Sequence, residues 1–207
     1  LSALDNITLV SNSDAHSLEN LGREANCFLF DNDADINYRE ITRIIKTGDK
    51  KKFLYTIEFY PEEGKYYHDG HAICKVCLSP KETRSKKFLC PKCKKTVTVG
   101  TLHRVDELAD QNEKGKKYIS QKYIVPLKEI IAKVFDVGPT SKKVVREYET
   151  MITTLGSEVF ILLKADIAEI KKSVSDGKIA LAIANMRNGK VKVNPGYDGI
   201  FGAVDFI

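Results

Sequence analysis

Cys74-Lys75-Val76-Cys77 and Cys90-Pro91-Lys92-Cys93 hold four of the chain's five cysteines, with twelve residues between the pairs. C-x2-C-x12-C-x2-C is the spacing of two zinc knuckles closing on one ion. Two residues between the cysteines of a pair let the backbone turn and aim both sulfurs inward. Thiolates from Cys74, Cys77, Cys90 and Cys93 would complete a tetrahedron and leave no position open for water, so the expected zinc is structural. Two disulfides are the alternative, but no signal peptide is visible and the cysteine usage suits a reducing, cytoplasmic compartment. His71, three residues ahead of Cys74, could compete as a ligand. With four sulfurs to hand, its expected role is to hold the ribbon against its neighbour.

Charge gathers around this ribbon. Nine basic residues lie between His71 and Arg104 against one acid, Glu82, which makes the segment about +8 within a chain whose net charge is +5. Arg84, Lys86, Lys87, Lys92, Lys94, Lys95 and Arg104 are therefore the candidate contacts to a polyanion, with DNA the default partner. A solvated lysine-rich ribbon is the alternative. With 43% apolar and 29% charged residues over 207 positions, the composition is that of globular protein with room for one or two cores. No apolar run approaches the ~20 residues of a membrane span.

Outward from the ribbon the pattern alternates between strand and helix. Ile7–Val10 reads as a strand, Leu18, Leu21 and Ala25 as a helical stripe, and Cys27–Phe30 as a second strand. Tyr38, Ile41, Ile44 and Ile45 share one helical face that Gly48 would close. Leu54–Tyr60 alternates as a strand, Thr96–Val99 closes the ribbon, and Thr101–Ala109 reads as a helix with Leu102, Val105, Leu108 and Ala109 inward. His103 and Arg104, at the start of that helix, stand where they could touch phosphate. A polar connection at Gln111–Lys117 precedes a helix over Leu127–Phe135 and another beginning near Ser141. Glu158–Lys164 reads as an apolar strand, Ile167–Val174 and Ile179–Arg187 as helices, and Lys190–Val193 and Ile200–Ile207 as strands. The expected boundaries are 1–60, 61–110 and 111–207. No phosphate loop, dinucleotide fingerprint or nucleophile elbow is present, which argues against ATP hydrolysis.

Asp14-Ala15-His16 follows the first β-prone run, and barrel enzymes present metal ligands on such loops at the carboxyl ends of their strands. A carboxylate and an imidazole two residues apart can turn to one cation, though a turn or helix cap explains the pair equally.

Several stretches together resemble a known family. They are Ser11-Asn12-Ser13-Asp14-Ala15-His16-Ser17, Leu21-Gly22-Arg23-Glu24-Ala25-Asn26 and Thr56–Tyr66. The paired cysteines, His103-Arg104-Val105-Asp106-Glu107-Leu108-Ala109-Asp110 and Pro195-Gly196-Tyr197-Asp198-Gly199 complete the set. In this order they are similar to the carboxyl-terminal half of endonuclease Q and its bacterial and archaeal relatives. The resemblance implies a mixed α/β fold: the end of a polymerase-and-histidinol-phosphatase (PHP) barrel, a four-cysteine zinc ribbon and a mostly helical α+β domain. It implies a prokaryotic, cytoplasmic DNA repair endonuclease that cuts the backbone beside deaminated bases or abasic sites. Asp14 and His16 would then be catalytic ligands to divalent metal (Zn2+, Mn2+ or Mg2+), completed by a missing amino-terminal barrel segment. A noncatalytic zinc-ribbon module, or a helicase-associated DNA-binding region, is the alternative reading of the same residues.

Overall fold

The computed structural model describes residues 1–112, 115 and 117–206. The connection at Gln111–Lys117 lies partly outside these residues, as does the end of the last expected strand. The chain divides into two compact units, residues 1–122 with 195–203 and residues 123–194 with 204–207.

In the first unit, β1 (Ala25–Phe28) pairs antiparallel with β2 (Phe53–Glu58), which neighbours the short β5 (Gln121–Tyr123). Helix α1 (Tyr38–Thr47) begins where the Asn37 side chain accepts the Glu40 N–H. It ends at Gly48, whose φ of 63° is the left-handed conformation that glycine adopts without a Cβ penalty. Ile44 points inward onto Phe53 and Ile119, with the Phe28 ring centroid 4.6 Å from that of Phe53 and tilted by 42°, whereas Tyr38 is left exposed.

The amino-terminal expectations need correction. Ile7–Val10 forms no strand, because among the described residues it has no ladder partner; Ile7 and Leu9 instead line a cavity of about 350 Å3 with Leu1, Leu4 and Thr56. The helical stripe at 18–25 is one 3-10 turn, Leu18–Asn20, with Leu18 91% exposed. Gly22, at φ 77°, then turns the chain into β1.

The ribbon is a second, smaller core. Strands β3 (Asp69–His71) and β4 (Val76–Leu78) pair antiparallel, and Val76, Leu78, Cys90 and Val97 bury their side chains together. Thr96–Val99 contributes two isolated bridges, Leu89↔Thr96 and Gly70↔Thr98, in place of a full strand. Helix α2 (Pro80–Ser85) starts with a reciprocal cap between Ser79 and Glu82. Helix α3 (Thr101–Leu108) forms as expected but turns a different face inward. Val105 and Leu108 are exposed, and the side chain it buries is His103.

The second unit is helical: α4 (Leu127–Phe135), α5 (Lys142–Leu155), α6 (Glu158–Leu163), α7 (Ile167–Ser173) and α8 (Gly177–Arg187), with the pair β6 (Val191–Asn194) and β7 (Ala203–Phe206). Leu127, Ile130, Met151, Leu162, Ile170 and Ile183 are fully buried at its centre. Ser141 caps α5 by accepting the Val144 N–H. The run read as a strand at 158–164 is the helix α6. A short apolar run does not distinguish buried strand from buried helix by periodicity, and here the Ser157 cap decides it. Glu158 also accepts hydrogen bonds from the Leu127 N–H and the Tyr148 hydroxyl, which anchors the first turn. At the other end of α6, Arg187 donates to the carbonyls of Ile161, Leu162 and Ala165 at 2.6–2.9 Å, placing a cation on the negative end of the helix.

Candidate metal centre and nucleic-acid interface

His71, Cys74, Cys90 and Cys93 bring one donor atom each to within 4.8 Å of one another. Backbone conformation explains why these four meet. After Cys93 the chain turns through Lys94 at φ 63°, with the Lys94 N–H donating to the Cys90 carbonyl. After Cys74 it turns likewise through Lys75 at φ 52°, with the Lys75 N–H donating to the Ala72 carbonyl. The run Cys90-Pro91-Lys92-Cys93-Lys94 is thus matched by His71-Ala72-Ile73-Cys74-Lys75. Each is a donor, two residues, a donor and a left-handed residue, so the knuckles are H-x2-C and C-x2-C.

Cys77, expected as the fourth ligand, is outside this group. It is the middle residue of β4, where Val76 and Leu78 are buried at 7% and 5% exposure, and strand alternation turns it the other way. Its sulfur lies 3.6 Å from His68 Nδ1, while Cys93 Sγ lies 3.5 Å from His71 Nδ1. A tetrahedral ion with bonds of about 2.3 Å to sulfur needs donors roughly 3.8 Å apart, so three sulfurs and an imidazole at this spread fit zinc.

The thiols favour the same conclusion. Burial opposes ionisation of Cys90, but the backbone N–H groups of Cys93 and Lys92, with the neighbouring thiols, bring its pKa down to about 6. The Cys93 thiol, then burial, then Cys90 push Cys74 up to about 11. A thiolate at Cys90 therefore opposes a second one at Cys74, and a cation between them would relieve that repulsion. The Lys92 ammonium donates to the Cys74 carbonyl at 2.8 Å, and all five cysteines are free thiols.

A buried pair fixes the ribbon to α3. Asp69 and His103 are 0% and 1% exposed, with Asp69 Oδ2 2.5 Å from His103 Nδ1 and Asp69 Oδ1 accepting the Gly100 N–H at 2.7 Å. His103 is therefore a structural residue rather than a phosphate contact. Nothing in the periodicity pointed to it, because the pairing spans 34 residues.

Of the candidate DNA contacts, all seven side chains belong to exposed residues. Arg84 is ion-paired to Asp106, Arg104 to Glu107, and Lys94 donates to the Pro91 carbonyl. Lys86, Lys87 and Lys95 lie open on the surface. Exposed pairs of this kind cost little to exchange for phosphate.

Asp14 and His16 are also exposed, and Asp14 adopts φ 45°. His16 Nδ1 lies 2.7 Å from the Asp14 carbonyl oxygen, an arrangement that fixes the ring and leaves Nε2 free to bind a metal. Among the described residues no third histidine, cysteine or carboxylate joins them in a metal-binding group.

Comparison with known proteins gives this arrangement a context. Residues 126–190 match the family model described as the MJ0043 C-terminal domain. The chain is 32% identical over 208 residues to the uncharacterized protein MJ0043 of Methanocaldococcus jannaschii, covering 98% of this chain and 26% of that protein. It is 29% identical to the uncharacterized protein YqxK of Bacillus subtilis, covering 99% and 48% respectively. In structure it superimposes over its whole length on the lesion-specific endonuclease PfuEndoQ from Pyrococcus furiosus, with TM-score 0.87, 33% identity and 51% of that chain covered. It does so equally on an endonuclease Q in complex with a 27-mer duplex carrying an abasic lesion, with TM-score 0.81, 32% identity and 52% covered. The chain spans about a quarter to a half of the curated relatives it matches, and over all of its own length it resembles one half of an endonuclease Q, consistent with the carboxyl-terminal half.

Proposed function

We propose that this chain is the DNA-gripping, carboxyl-terminal portion of a metal-dependent repair endonuclease that cuts the backbone beside deaminated bases or abasic sites. The observation that carries the reading is the full-length likeness to a lesion-specific endonuclease at 33% identity, around a ribbon whose donors suit zinc. In this reading His71, Cys74, Cys90 and Cys93 hold a structural zinc that is closed to substrate. Zinc there holds the two knuckles together, so that Lys86, Lys87, Lys92, Lys94 and Lys95 travel as one rigid basic surface. Arg84 and Arg104 join it when phosphate replaces Asp106 and Glu107.

Asp14 and His16 would belong to the end of a PHP barrel, with His16 Nε2 and the Asp14 carboxylate facing the catalytic ions. Divalent metal at such a centre supplies an activated water and offsets charge building on the phosphate. Two donors fall short of that centre, so the remaining ligands would come from an amino-terminal barrel segment. The test joins that segment and assays nicking of uracil-containing duplex. Asp14→Ala is expected to lower the nicking rate about 100-fold or more, and undiminished nicking removes Asp14 from the role.

The exposure of Asp14 and His16, with no third donor among the described residues, favours a second reading, a noncatalytic zinc-ribbon DNA-binding module. Both readings require binding that weakens with salt, at a log–log slope of about −0.9 per neutralised phosphate on duplex DNA. Only the first requires metal-dependent nicking once the barrel is joined.

A further inference from the structure

Phe201 is 73% exposed, on the loop between β6 and β7. The turn Pro195–Gly202 is strapped to residues 62–68 by backbone hydrogen bonds. The Gly196 N–H donates to the Glu62 carbonyl at 2.8 Å, the Gly199 N–H to Lys65 at 2.9 Å, and the Gly202 N–H to Glu63 at 3.0 Å. In return the His68 N–H donates to the Gly196 carbonyl at 2.9 Å. Gly196 lies so close to the segment that a Cβ there would stand 2.4 Å from the Gly64 carbonyl oxygen. Asp198 adds two side-chain ties, accepting from the Ala72 N–H at 2.6 Å and from the Thr98 hydroxyl at 2.5 Å. The loop is thus rigid and registered to the ribbon, and it carries its phenylalanine outward.

Beside it Tyr66 is 47% exposed, and the Lys65 ammonium serves both rings, 5.6 Å from the Tyr66 centroid and 5.7 Å from that of Phe201. Among the described residues no carboxylate pairs with Lys65. Two exposed rings that share one cation suit a ligand that is flat, aromatic and anionic at its edge. A nucleobase on its phosphate backbone has that chemistry, and base–ring stacking tolerates any base. A protein partner docking on these rings would have to cover the Lys65 ammonium between them.

We propose that Phe201 and Tyr66 stack on a base left unpaired at a DNA lesion, with Lys65 neutralising the adjacent phosphate. The inference rests on the DNA-repair reading above and adds to it a site where the damaged duplex is told from the intact one. An intact duplex keeps its bases stacked on one another and offers these rings nothing. A duplex with an abasic or extruded position has lost a stacking neighbour, and a rigid ring fills the gap at little ordering cost.

The test uses this chain with a fluorescent duplex carrying one abasic site, the adjacent base being 2-aminopurine, and with the intact duplex. The expected wild-type result is tighter binding of the abasic duplex. Phe201→Ala should remove about ten-fold of that preference and alter 2-aminopurine fluorescence in the complex, while changing affinity for intact duplex less than about two-fold. Phe201→Trp should keep the preference, and Phe201→Leu, apolar without a π-face, should lose it. Lys65→Ala should weaken both duplexes and reduce the salt slope by about one. A Phe201→Ala or Phe201→Leu protein that keeps the full preference overturns the stacking site and leaves DNA binding standing. Failure of the wild-type chain to bind either duplex overturns the DNA reading itself. A self-associating wild type that Phe201→Ala renders monomeric would assign the ring to a second copy of the chain and overturn the proposal.

Discussion

The identity of the fourth metal ligand separates spacing from geometry, and two substitutions resolve it. Structural zinc contributes at least about 10 kcal/mol of binding free energy at neutral pH when four protein donors close the site. Shared equally, one donor is worth about 2.5 kcal/mol, or roughly 60-fold in affinity at about 1.4 kcal/mol per decade. His71→Ala opens the H-x2-C knuckle and should weaken zinc by at least that factor. Cys77→Ser alters a strand residue whose sulfur faces His68 and should change affinity less than about two-fold. His71→Cys should restore tight binding, since the left-handed turn at Lys75 still aims position 71 at the ion. Competition with a chelator of known affinity measures all three, and Co2+ substitution reports by absorption whether the number of coordinating sulfurs is three or four. Limited proteolysis across residues 71–100 gives an independent reading of ribbon order. Release of zinc by Cys77→Ser together with retention by His71→Ala would refute the reasoning, because it would mean that strand alternation does not govern where Cys77 points.

Two further expectations follow from the packing. Arg187→Met removes three charged hydrogen bonds from carbonyls at the end of α6 and should destabilise the second unit by about 2–3 kcal/mol, discounted because the side chain is only half-buried. Calorimetry should show its transition fall by roughly 10 °C or more, and an unchanged midpoint would mean that water serves those carbonyls as well. The Arg43 guanidinium, and then the Lys52 ammonium, hold the Glu40 carboxyl down to about 2, against 4.5 ordinarily. A depressed carboxyl stabilises the fold fully above its unfolded value, and loses that contribution as pH falls from about 4.5 through 2. NMR titration should find Glu40 midpoint well below the other glutamates; a midpoint near 4.5 would show the pairs with Arg43 and Lys52 to be broken in solution.

Helices with strong punctuation were legible in the residues themselves. Asn37 and Gly48 bracket α1, Pro126 precedes α4, and the alternation of Leu54–Tyr60 anticipates β2, because caps and periodicity act over a few residues. The pairing of the cysteines was equally local, since each C-x2-C is four residues long. What misled was any feature whose partner lies far away in sequence. Ile7–Val10 has the composition of a strand but no ladder to join, and the run at Glu158 became a helix through Ser157 and contacts to Leu127 and Tyr148. Helix α3 was expected to bury an apolar stripe, and it buries His103 because Asp69 waits 34 residues upstream.

For the ribbon the division is sharper still. Its residues alone pointed to a metal site between Cys74 and Cys93, with basic charge around it. Spacing counted four cysteines and stopped there, since counting cannot see the sign of φ at Lys75 or the alternation that turns Cys77 out of the cluster. Only the tertiary structure brings His71, in place of Cys77, into the group that could hold a metal. The same dependence holds for Phe201, an ordinary apolar residue in the one-dimensional chain. It stands out once Gly196, Asp198 and Gly202 are seen to lock its loop against residues 62–72 and leave the ring in solvent. Local chemistry specifies elements and ligand types, whereas direction in space is set by contacts between segments remote from one another.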